Sequence, residues 1–126
     1  MPNLALALCG LAAIGLLSIG TLALVSPQRL SRSYGIPVHD PAGLAFVRAT
    51  GARDLLIGLI FATGVYFQDA LQLLILCAIG VLLSAADFAI AFFSNGRTMR
   101  SEYAAHIGGA VAFAILIALL ARQIHM

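Results

Sequence analysis

From Leu4 to Val25 the chain carries no charged residue, and this apolar run ends at Ser26-Pro27. A bilayer's hydrocarbon is about 30 Å thick and takes roughly 20 mostly apolar residues to cross as a helix. Inside it the backbone must satisfy its own hydrogen bonds, so the run predicts a membrane-crossing α-helix that proline then stops. Three more runs of that length predict helices over about 41–66, 70–93 and 101–124. The expected fold is all-α, an integral membrane four-helix transmembrane bundle forming one domain over residues 1–126.

Composition excludes the soluble alternative. Hydrophobic residues make up 62% of the chain and charged ones 10%, with mean hydropathy +1.04. Seven arginines, five acids and no lysine are too few to coat a soluble exterior. A net charge of +2, without a basic run or interleaved aromatics, argues against nucleic acid as a partner. The first run reads as a retained span rather than a signal peptide, because no Lys or Arg precedes it. Leu6-Ala7-Leu8-Cys9 is too close to the start, and too short of positive charge, to read as a lipoprotein site. Cys9 and Cys77 both fall in apolar runs and read as buried thiols.

The connections carry most of the charge. Gln28 to Asp40 holds Arg29, Arg32, Gly35 and Pro37 and reads as a loop with interfacial character. Asp40-Pro41 starts the second helix. Phe67-Gln68-Asp69 is short enough to make helices two and three antiparallel neighbours. Ser94-Asn95-Gly96-Arg97 breaks the chain before the fourth helix, with Ser101 as its expected N-cap. The first and third loops hold Arg29, Arg32, Arg97 and Arg100, against Arg122 alone on the other side. The positive-inside rule then places those loops in the cytoplasm and both termini outside, in a cell or inner membrane.

Ionisable groups inside a span cost at least about 2.5–3.5 kcal/mol near its centre, so each one needs a partner or a purpose. Arg48, Arg53 and Asp54 on the second helix, Asp87 on the third and His106 on the fourth form the candidate site. At about 1.5 Å per residue, Arg48, Asp87 and His106 lie roughly 8–11 Å in from the cytoplasmic ends, with Arg53 and Asp54 nearer the middle. The expected pairs are Arg48 with Asp87, Arg53 with Asp54, and His106 with Glu102 one turn before it. Such pairs also serve simply to fix helix register. Tyr34, Tyr66 and Tyr103 read as interfacial anchors. His39, His106 and His125 lack metal-ligand spacing, so no metal is expected. No nucleotide or hydrolase motif occurs, and no cofactor is expected. Helical glycines, as in Ala105-x-x-x-Gly109, point to close helix packing.

The segment Tyr34-Gly35-Ile36-Pro37, Asp40-Pro41 and Phe46-Val47-Arg48-Ala49-Thr50-Gly51-Ala52-Arg53-Asp54 resembles the signature of a family of small four-span membrane proteins of unassigned function. The likeness extends to Asp87 and to Ala105-His106-Ile107-Gly108-Gly109. It implies a four-helix fold in which the polar positions recur, and it implies no reaction. More loosely the chain is similar to DoxX-like membrane proteins, some of which accompany quinone-linked oxidoreductases.

Two functions of different class follow. In the first, the polar cluster binds a small lipophilic molecule bearing a polar or anionic group, with arginine on the oxygen-rich end. A catalytic version would be cofactor-free isomerisation or hydration, with His106 or Asp87 carrying the proton. In the second, the chain is a structural or partner subunit that docks a membrane or cytoplasmic protein, or another copy of itself. Proton-coupled transport ranks last, because the half of each span away from the cytoplasm is nearly uncharged.

Overall fold

The computed structural model describes residues 3–124, so His125 lies outside the described residues. Among the described residues the chain is all-α, with five α-helices: α1 Asn3–Val25, α2 Pro27–Tyr34, α3 Pro41–Phe67, α4 Ala70–Ser94 and α5 Ala104–Ile124. A 3₁₀ turn, Ser101–Tyr103, leads into α5. Among the described residues three segments are long and apolar enough to cross a membrane: Leu4–Val25, Ala70–Ser94 and Ser101–Ile124. The fourth long helix, α3, has 27 residues and carries Arg48, Arg53 and Asp54.

Local chemistry explains the boundaries. Asp40 caps α3 by accepting from the Gly43 amide at 2.8 Å, and Pro41 occupies the first turn, where its missing N–H costs nothing. Asp69 caps α4 through the Gln72 amide at 2.9 Å. Between them Gln68 takes a left-handed φ of 53°, which closes the end of α3.

Residues 28–34, expected as loop, are helical instead. Pro27 starts α2 as readily as it stops α1, and Gly35 ends it with φ 95°. The expected Ser101 cap is also absent: its hydroxyl turns to Glu102 at 3.3 Å, and the chain enters α5 through the 3₁₀ turn.

The helices pack chiefly as two antiparallel pairs, α1 with α3 and α4 with α5. The short link had suggested α3 and α4 as close neighbours, yet these two touch little. Glycine explains the preference for α1. A Cβ on Gly20 would lie 2.7 Å from the Gly51 oxygen, and one on Gly51 would collide with Ala23, so the two backbones pack at a distance only glycine allows. The joint apolar core of the two pairs, including Cys9, Phe61, Leu73, Cys77 and Leu120, lies toward the α3–α4 link. At the opposite end gather the end of α1, the start of α3, the end of α4, the start of α5, and α2.

Candidate functional site

Asp54 stands one turn beyond Gly51 on the inward face of α3 and is 8% exposed. The Nε and Nη2 of Arg53 converge on its Oδ1 at 3.0 and 2.9 Å, so the carboxylate is held by a charge-assisted fork. Arg53 reaches onward to α4, where Nη2 lies 3.8 Å from Oδ2 of Asp87. That is an ion contact longer than a hydrogen bond. Side-chain exposures of 38% for Arg53 and 20% for Asp87 leave both reachable from outside the bundle, along the sparsely packed α3–α4 seam.

Tyr34, at the end of α2, covers this group. Its hydroxyl points at Asp87, 3.4 Å from the main-chain oxygen. Burial first, and then the Asp87 charge, push the hydroxyl well above the usual tyrosine range, so it stays a donor. His106 of α5 completes the cover. Its ring meets the Tyr34 ring edge-on with centroids 4.6 Å apart, and Nε2 lies 3.1 Å from the Tyr34 carbonyl oxygen. A carbonyl only accepts, so Nε2 carries the hydrogen.

Two expected pairs are therefore re-formed. Arg48 does not meet Asp87; its Nε donates to the Leu24 oxygen at 3.4 Å, near the end of α1. Five residues along a helix is about 140° of rotation past a full turn, so Arg48 and Arg53 face different neighbours, and Arg53 faces α4. His106 bonds Tyr34 rather than Glu102, because α2 supplies an orphan carbonyl at its C-terminus. The structure thus brings Arg53, Asp54, Asp87 and His106 together and leaves Arg48 apart.

A second polar knot, missed in the sequence, fastens α2 to α4 and the 3₁₀ turn. The Asn95 amide donates to the Gly35 oxygen at 2.7 Å and lies 2.8 Å from the Tyr103 hydroxyl, which itself donates to the Ala91 oxygen at 3.0 Å. Tyr103 is fully buried, so it is no interfacial anchor; Tyr34 too is turned inward, and Tyr66 alone of the three is 80% exposed.

Two apolar surface grooves lie elsewhere. One of about 510 Å³ runs along α1 by Ile14, Ser18 and Val25, and one of about 380 Å³ lies by Ile60, Leu71 and Ile75. Among the described residues no cluster of three or more metal-ligating side chains forms.

No curated protein and no solved structure matches the chain, so the looser likeness to DoxX-like proteins gains no support. A family model described as Domain of unknown function (DUF4267) matches residues 13–120, a stretch that takes in every residue of this site. The chain belongs to that family.

Proposed function

We propose that the chain is a four-span membrane protein whose Arg53–Asp87 recess binds the polar head of a small lipophilic molecule. In this reading α3 is the fourth span, and the arginine-bearing connections at the α2 end face the cytoplasm. The carrying observation is the loose hold on Asp87: Arg53 gives Nε and Nη2 to Asp54 at 3.0 and 2.9 Å, Nη2 stays 3.8 Å from Asp87, and Nη1 makes no hydrogen bond among the described residues. A carboxylate and a guanidinium edge are thereby left to receive a guest's hydroxyl or carbonyl, while its apolar part lies along the α3–α4 seam.

The group sets two carboxyl groups against one guanidinium. It suits a neutral hydroxyl- or carbonyl-bearing guest better than an anion, which narrows the head-group chemistry expected from arginine alone. Register-fixing is a poorer account of these charges, because the tightest ion pair joins neighbours on one helix and ties no two helices together.

Extraction and native mass spectrometry of detergent-purified protein test the site. A compound that stays with the wild type and leaves a folded Asp87→Asn variant is the expected result. Equal retention by both would sink the assignment.

A further inference from the structure

Beyond the recess, the same end of the molecule carries a second, outward-facing feature. Arg29 and Arg32 lie three residues apart on α2 and are both exposed, while Pro27 and Ser31 of that helix are buried. Arg97 and Arg100, in the connection between α4 and α5, are exposed as well. None of the four has a carboxylate within 4 Å among the described residues, where both ion pairs belong to Arg53.

Arg97 and Arg100 are held in place rather than trailing. Arg100 donates to the Asn95 side-chain oxygen at 3.2 Å, and Asn95 in turn grips Gly35 at the end of α2. Arg97 lies over the Phe93 ring, 5.4 Å from its centre. Only Asp40 and Glu102 are acidic on this outer surface, and Asp40 is engaged in capping α3. At the other end Arg122 and Asp69 balance one another.

We infer that the exposed arginines of α2 and the α4–α5 connection form a binding surface for the phosphate headgroups of anionic phospholipids. The surface sits just beyond the ends of α1 and α4, at the level where headgroups stand, and presents guanidinium groups that no carboxylate neutralises to phosphate oxygens. Fixing α2 through Asn95, Tyr103 and His106 keeps Arg29 and Arg32 at that level instead of in free solution.

The test uses full-length protein in nanodiscs of equimolar phosphatidylglycerol and phosphatidylcholine with identical acyl chains. Lipids retained after release are counted by native mass spectrometry. We expect phosphatidylglycerol enriched on the wild type, with the enrichment reduced by high salt and falling by up to about fivefold for each arginine lost in Arg29→Gln/Arg32→Gln. Arg122→Gln, at the opposite end, should keep the wild-type ratio. Equal retention of the two lipids by the wild type, or an enrichment that survives Arg29→Gln/Arg32→Gln and salt, overturns the inference. Because the readout is the lipid ratio, it stands or falls separately from the Arg53–Asp87 recess.

Discussion

His106 on α5 donates its Nε2 hydrogen to the main-chain oxygen of Tyr34 at 3.1 Å, across 72 residues of chain. This bond, the Asn95–Gly35 bond and the Tyr34 hydroxyl's bond to the Asp87 oxygen help hold a two-turn helix, too short to be stable alone, against the bundle. His106→Ala should loosen α2 at a cost of about 1–2 kcal/mol while leaving total helicity unchanged. Amide exchange over residues 27–36 should accelerate more than exchange in α4; uniform change across the chain would contradict the assignment.

Gly51 sets the approach of α1 to α3. Gly51→Ala should cost about 1–3 kcal/mol, because the added methyl meets Ala23 and the Gly20 backbone oxygen. Gly108→Ala, where nothing lies within 4 Å, should be neutral or stabilising by up to about 1 kcal/mol, since alanine favours the helix. Thermal melting in detergent separates the two.

Removing Arg53 leaves Asp54 buried without its cation. Arg53→Gln should destabilise by about 1–3 kcal/mol, below the range for a fully buried pair because Arg53 is 38% exposed. Adding Asp54→Asn should return much of that loss. A double-mutant cycle with no coupling would show that the fork does not stabilise the fold.

Tyr34 gives a pH dependence of known sign. The unfolded phenol releases its proton near pH 10, whereas the folded one is pushed higher and keeps it, so the folded state binds more protons above that point. Its stabilising contribution is complete below about pH 10 and is lost as pH rises toward the folded value. The slope is at most about 1.4 kcal/mol per pH unit, less for a half-buried group. Denaturation of wild type and Tyr34→Phe at about pH 9 and 11 should show the variant losing less stability.

The helices could be read from the chain because lipid length and terminal chemistry are local: Pro27 stops α1, Asp40-Pro41 starts α3, and Asp69 precedes α4. The Arg53–Asp54 pair was legible for the same reason, its partners being adjacent. Partners from different helices were not. Which arginine faces Asp87 depends on the rotation of α3 about its axis, and that rotation is set by the Gly20–Gly51 contact rather than by depth. α2 was hidden because proline, serine, arginine and glycine favour turns as readily as an eight-residue helix with Pro27 first and Gly35 last. Asn95 resembled a plain break residue, since its role depends on Gly35 being brought beside it by that unforeseen helix.

Everything proposed for the recess depends on α3 crossing the membrane with its charges inside. Single cysteines at Ser33, on α2, and at Phe67, at the far end of α3, test this with a membrane-impermeant maleimide applied to each side of sealed vesicles. Native Cys9 and Cys77 are fully buried and should stay unreactive. We expect Ser33→Cys to label only from the cytoplasmic face and Phe67→Cys only from the opposite face. Labelling of both from one face would mean that α3 does not span, and would remove the membrane setting of Arg53, Asp54 and Asp87.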